Sequence, residues 1–448
     1  MSVALTGPIR QGLDNKWHLL ALTVLTGLAL GALVVLKPIL GLALPLAAIL
    51  CLVIIPRPKL GLYLIAAWLP FESLAGFGSD FSATKLLAIV TFLGWSLHLY
   101  KTKHTHINLN EKTHLFLLAF LALATFSLIG ATEFGTGITH LTTLAMLAAL
   151  YFVIIDLVDD QASLRTMVLT LITSSALAAL VPISQFIISG AERAGGAYLD
   201  PNGSALGLVV LVPLAFAFLR SPTSKYNFAF WFVLLLLVGG AFVTTSRGAM
   251  IALVVMFALL SMEPLLGTRL RRQIIAVLLI LAIMLSCLAL FVDKRFTLDS
   301  IMSTKGSGRF YIWAAGLNMI QDYWLTGVGL ANYKFVYLSY SYLIPGIHPE
   351  YRKPLGGHNI FIEIAAEVGI FGILALLGFL LSVLYKSRQL RRAHLIAGNL
   401  QQAINCSMLA ISIIGLMVAS FSLGALYMKV IWLILALSTC QAVRTHRV

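Results

Sequence analysis

Apolar runs set the pattern along this chain. They recur near residues 18–36, 38–55, 60–75, 85–100, 114–130, 138–156, 164–189, 204–219, 228–244, 248–263, 273–292, 359–385, 405–422 and 424–440. The runs are continuous and roughly 16–25 residues long, the length at which an α-helix crosses about 30 Å of hydrocarbon. A membrane β-barrel would instead show short segments of alternating polarity. The pattern predicts an all-α polytopic membrane protein with about 12–14 transmembrane helices. Pro70 and Glu72 make the 60–75 run short or re-entrant, and the pairs 18–36/38–55 and 405–422/424–440 have almost no linker. Twelve and fourteen spans both place the two termini on one side. The first run follows Arg10 and Lys16 as a signal peptide would, yet it is too long and a second span follows at once. It reads as a retained anchor.

One long polar stretch interrupts the pattern, from Asp293 to Gly356-Gly357-His358-Asn359. It divides the chain into a transmembrane helical region (1–292), an outward loop with short helices (293–358) and C-terminal transmembrane helices (359–448). Within the loop, Gly308 to Ile320 carries apolar residues at helical spacing. Phe310, Tyr311 and Trp313 suit a position at the membrane surface. No internal repeat or low-complexity tract is visible.

Composition agrees with the pattern. Of 448 residues, 60% are hydrophobic and 11% charged, which excludes a soluble globular class. A net charge of +14 would suggest nucleic acid in a soluble chain. Here it concentrates in loops on one side: Arg57 and Lys59, Lys101 and Lys103, Arg220 to Lys225, Arg269 to Arg272, Lys386 to Arg392, and Arg444 to Arg447. These loops are expected to be cytoplasmic, with membrane lipids as the surroundings and no nucleic acid as a partner. The 157–164 loop, with Asp159 and Asp160, is the weak member of the set, and Asp156 reads as a topology determinant. Cys51, Cys287, Cys406 and Cys440 all lie in apolar runs without metal-ligand spacing, so they read as packing residues.

The opposite set of loops (71–84, 131–137, 190–203, 245–247 and 293–358) faces outward and gathers the candidate chemistry. Positive charge there runs against the usual bias. Arg247, in Ser246-Arg247-Gly248, is wedged between two apolar runs. It either snorkels to the interface or pairs with a loop carboxylate such as Asp200 or Glu192, or it is functional. Arg193 and Arg309 are further outward cations. Guanidinium groups grip phosphate oxygens at two points, and several around one site suit a diphosphate. The outward carboxylates are scattered, so arginine rather than a metal ion is expected to neutralise such a group, and no cofactor is implied. His358 stands where a loop meets a helix. It is either a capping histidine or a base that takes a proton from a hydroxyl near neutral pH. Asn359 either orients a ligand or satisfies helix-end donors. Glu363 and Glu367 lie on one face of the next helix, and Glu367 is expected to meet an arginine or a polar cavity. Tyr337, Tyr340 and Tyr342 read equally as sugar contacts and as loop packing. His140 and His348 also face outward but lack the glycine pair and helix start beside His358.

Taken in order, Arg193 with Asp200-Pro201-Asn202, Ser246-Arg247-Gly248-Ala249, Arg309-x-x-x-Trp313 with Gly327-Val328-Gly329, and His358-Asn359 with Glu367-Val368-Gly369 resemble the O-antigen ligase and polymerase superfamily. The resemblance runs from about Arg193 to Gly372. It implies a C-type (GT-C) membrane glycosyltransferase of the bacterial inner membrane with its active site toward the periplasm. Such a ligase moves O-antigen glycan from undecaprenyl diphosphate to a lipid A-core sugar, without a metal and with inversion. The resemblance implies Arg193 and Arg247 on the donor diphosphate, Arg309 assisting, and His358 as the base. A polymerase would use the same donor and residue types. A transporter or lipid flippase would instead show charges at the membrane midplane and repeat symmetry.

Overall fold

The structure is a computed structural model that describes residues 38–72, 83–190, 193–196, 200–219, 227–287 and 308–440. The first apolar run, the basic segments 220–225 and 444–447, Glu192 and residues 293–307 lie outside the described residues. All regular elements among them are helical. In chain order they are α1 (Pro38–Ile54), α2 (Pro58–Trp68), α3 (Ala83–Thr102), α4 (Lys112–Ser127), α5 (Phe134–Leu157), α6 (Gln161–Ala178), α7 (Leu180–Ser189), α8 (Pro201–Val209) and α9 (Val212–Leu219). Then follow α10 (Asn227–Val243), α11 (Arg247–Met262), α12 (Gly267–Cys287), α13 (Arg309–Asp322), α14 (Tyr333–Ser341), α15 (Ile360–Ile396), α16 (Leu400–Ser420) and α17 (Lys429–Leu437).

Six stretches are long and apolar enough to cross a membrane: Ala83–Thr102, Lys112–Gly130, Phe134–Leu157, Gln161–Ser189, Ile360–Ile396 and Leu400–Ser420. A seventh forms if α11 and the helix after it, bent by 69°, are one broken span. The apolar helices Pro201–Ala217 and Phe228–Val243 are shorter than a full span. Several of the fourteen apolar runs are thus half-length or bent helices. Pro70 ends the 60–75 run early: α2 has 11 residues and passes into a short 3₁₀ turn. The core lies between α4, α5, α15 and α17, where Tyr151, Phe379 and Trp432 are fully buried and Phe379 packs against both other rings. Cys406 and Cys440 are buried in it. The side chain of Cys287 is outside the described set.

Several charged groups are matched in pairs, Lys429 with Glu72 among them. Lys386 pairs with Glu111, Arg391 with Glu263 at 3.0 Å, and Lys59 with Asp159 at 2.5 Å and Asp160 at 3.1 Å. Asp160 also caps α6 through a reciprocal bond with Ser163. The acidic 157–164 loop therefore has a local reason to sit among basic ones. The reading of Asp156 as a topology determinant is corrected. It is buried and accepts from Trp95 Nε1 at 2.7 Å, Thr105 Oγ1 at 2.8 Å and the His106 N–H at 2.6 Å, anchoring the 103–107 turn.

Residues 308–358 form α13, α14 and connecting turns packed on α15. Ile312, Ala315, Met319, Tyr333, Tyr337 and Ala366 make a small core of their own. One face of α13 is thus covered by protein, while Phe310 on the other remains exposed. The loop is fastened to a break in α15 at Gly369, whose φ of +78° and ψ of −177° interrupt the helix. The interruption frees two carbonyls: Ala366 accepts from Val328 N–H at 2.8 Å and Glu367 from Gly329 N–H at 2.9 Å. In return Ile370 N–H donates to Trp324 at 2.8 Å. The Gly-Val-Gly and Glu-Val-Gly motifs are therefore two halves of one latch. A side chain at Gly327 would collide with the Glu367 backbone. The Glu367 carboxylate completes the latch by accepting from the N–H groups of Ala331 at 2.8 Å and Tyr333 at 3.0 Å, at the start of α14.

Candidate functional site

Four helix starts supply the residues. Asp200 caps α8 and accepts from Gly203 N–H at 2.7 Å. Arg247 is the first residue of α11, Arg309 the first of α13, and Asn359 caps α15, accepting from Phe361 and Ile362 N–H at 3.0 and 3.2 Å. Side chains at a helix start lean back past the helix end. The ends carry positive partial charge, so arginines placed there add to a field that already favours an anion.

Arg193 and Ser246, the residue before Arg247, are joined through Asn202. Arg193 donates to Asn202 Oδ1 at 2.8 Å, and Ser246 Oγ donates to the same oxygen at 2.9 Å. Arg193 Nε also reaches the Thr244 carbonyl at 3.4 Å. The turn that delivers Arg247 is strained: Thr245 has φ +51°, a conformation that β-branched residues rarely adopt. Arg309, on its separate helix, feels both other guanidinium groups. Burial first, then Arg247 and Arg193, lower its pKa to about 10. It stays protonated at neutral pH, but three cations share one small region and repel one another.

His358 stands beside Arg309 and Asp200. It is exposed by surface area, yet protein surrounds it closely enough that burial is the first cause lowering its pKa. Arg309 lowers it further and Asp200 opposes them. The net direction leaves a neutral imidazole at pH 7. Its backbone is left-handed, with φ +49°. The preceding peptide is held on both sides. Trp313 Nε1 donates to the Gly357 carbonyl at 3.2 Å, and the Gly357 N–H points to the Glu363 carboxylate. Arg309 and Trp313, one turn apart on α13, therefore serve the site and its support.

The structure brings together Arg193, Arg247, Arg309 and His358, with Asn359 as a helix cap beside them. It does not bring Tyr337 there, which corrects the expectation of a substrate contact. Tyr337 is fully buried, and its hydroxyl donates to the Tyr351 carbonyl at 2.9 Å. Tyr340 donates to Asp322 at 2.5 Å, and Tyr342 lies under Arg352. Glu367 meets backbone N–H groups and lines a cavity, with no arginine paired to it among the described residues. Asp200 and the Trp313–Gly357 bond were not assigned to His358 from sequence. The Arg-x-x-x-Trp spacing was the available signal for Trp313.

The fold and site define a multi-pass helical membrane protein with a cluster of arginines and one histidine at neighbouring helix ends. A model of the O-antigen ligase family matches residues 232–377, a stretch that includes Arg247, Arg309, His358 and Asn359. Over this stretch the chain is similar to the O-antigen ligase family, the resemblance that the motifs carry. Arg193 and Asp200 precede the matched stretch. No curated protein matches the chain.

Proposed function

We propose that the chain is a GT-C-type glycosyltransferase that ligates O-antigen glycan from undecaprenyl diphosphate to a sugar of the lipid A core, at the periplasmic face of the inner membrane. The observation that carries this reading is that Arg193 and Arg247 crowd Arg309, which in turn stands beside a histidine of lowered pKa. A diphosphate relieves the repulsion among Arg193, Arg247 and Arg309 and gains paired hydrogen bonds from them. Neutral His358 takes the proton of the acceptor hydroxyl as its oxygen attacks the anomeric carbon. The bond to the diphosphate breaks on the opposite face, with inversion, and the arginines stabilise the departing charge. Asn359 keeps the base in place by capping α15. No metal is needed for charge neutralisation in this scheme.

Purified chain incubated with undecaprenyl diphosphate-linked glycan and lipid A-core acceptor tests the reading. The expected product is glycan-extended lipid A core, resolved by gel and mass spectrometry. Transfer only to another polyprenyl-linked glycan would identify a polymerase and overturn the acceptor assignment.

A further inference from the structure

A cavity lies beside the 356–360 segment, lined by α5, α14 and α15. Its volume is about 160 Å³, and Gly356, Glu363, Glu367, His140, Lys334 and Tyr427 are in its wall. One oxygen of the Glu363 carboxylate lies toward Gly356 and the other toward Gly424. The His140 and Tyr427 rings meet edge to face at 4.7 Å between centroids. The Tyr427 hydroxyl is buried and has no hydrogen-bond partner among the described residues. A buried hydroxyl without a partner is unfavourable, and a polar ligand satisfies it.

Resting on the ligase reading, we propose that this cavity is an acceptor subsite, holding the sugar next to the one whose hydroxyl is deprotonated. The size is right for one six-membered ring: cavities of about 150 Å³ accept benzene. The chemistry favours a hydroxylated ring over a phosphate, because two carboxylates face the space beside a single lysine. The carboxylates accept from sugar hydroxyls, and Tyr427 and Lys334 donate to them. Gly356 and His358 are two residues apart, so at roughly 3.5 Å per residue their backbones are within about 7 Å. A short glycan therefore touches both. None of Arg193, Arg247 and Arg309 lines this cavity, so donor and acceptor would meet the base from different places.

The test uses the full chain in detergent, wild-type and as Tyr427→Phe, Lys334→Met and Gly356→Ala, with melting temperatures checked. A methyl group at Gly356 would stand 3.7 Å from Glu363 Oε1, an ordinary contact that still narrows the cavity, so this variant serves if Tyr427→Phe disturbs packing. Probes are a lipid A-core acceptor and a truncated core lacking the sugar beside the reacting one. The expected result is a rise in acceptor KM of about 2–10-fold, the loss of one hydrogen bond, with donor KM unchanged. The rise should vanish with the truncated core. Unchanged acceptor KM in both Tyr427→Phe and Gly356→Ala, or equal losses with both acceptors, overturns the subsite. His358→Ala in the same assay separates the two ideas. Normal turnover there defeats the base reading, whereas a dead His358→Ala with wild-type acceptor KM in both Tyr427→Phe and Gly356→Ala defeats only the subsite.

Discussion

Two regions of the helical bundle handle charge in opposite ways. In one, Lys59, Lys386 and Arg391 are each matched by a carboxylate from a distant part of the chain. In the other, Arg193, Arg247 and Arg309 are brought close enough that two of them lower the pKa of the third. Matched pairs fasten helices together. Crowded like charges destabilise the fold unless an anion joins them, and an anion that binds only the folded chain stabilises it by mass action. Positive charge therefore has two uses in one molecule, and its arrangement distinguishes them better than its amount.

The largest expected effect tests whether the crowded region is where chemistry happens. His358→Ala should lower transfer by about 10²–10⁴-fold, the range for loss of a general base, with donor binding and melting temperature nearly unchanged. Retained turnover in a glycan-transfer assay would remove the contrast, leaving His358 as a helix-end residue. Next in size is Arg247→Ala. Losing hydrogen bonds to a charged group costs about 1.5–3 kcal/mol, so donor affinity should weaken roughly 10–100-fold, read by titration with donor or inorganic pyrophosphate. Pyrophosphate should also raise the melting temperature of the wild type more than that of the variant. An equal rise in both would show that Arg247 does not take part in holding the anion.

Much of this contrast was legible in the sequence, and the part that was not has a common cause. Lipid-spanning segments announce themselves by length and hydropathy. Arg247 was conspicuous because no loop separates it from two apolar runs, and His358 because a glycine pair and a helix start flank it. What escaped depends on groups far apart in sequence. Trp313 and Gly357 are 44 residues apart, and Asn332 reaches across 199 residues to the Glu133 N–H. The latch between Gly327-Val328-Gly329 and the broken helix at Gly369 is equally invisible to periodicity, because Gly369 is surrounded by residues that continue a helix. Its strain appears only as a backbone angle. Tyr337 illustrates the reverse. A tyrosine in a polar loop suits either a sugar or a small core, and only packing decides between them.

A smaller effect concerns the electrostatic coupling within the site. Because His358 is held below its ordinary value of 6.5, the acid limb of the transfer rate should fall below that pH. Arg309 lowers the histidine, so Arg309→Met should raise its pKa and move the limb to higher pH. Asp200 raises it, so Asp200→Asn should move the limb to lower pH. Opposite shifts in the pH–rate profile would show that both charges act on one titrating group. Shifts in the same direction, or none, would mean that the limb belongs to another residue.

The smallest effect belongs to the matched region. Lys59 and its partners Asp159 and Asp160 are all more than a third exposed. Such a pair is worth about 0–1 kcal/mol, because water screens the attraction and two side chains lose freedom to make it. Lys59→Met should therefore shift the melting temperature slightly and leave donor KM, acceptor KM and the pH–rate profile alone. The capping bond from Asp160 to Ser163 remains when Lys59 is gone, so α6 keeps its start. A loss of donor affinity comparable with that of Arg247→Ala would break the comparison at its quieter side. It would mean that charge in the matched region reaches the site through the helices and does more than fasten them.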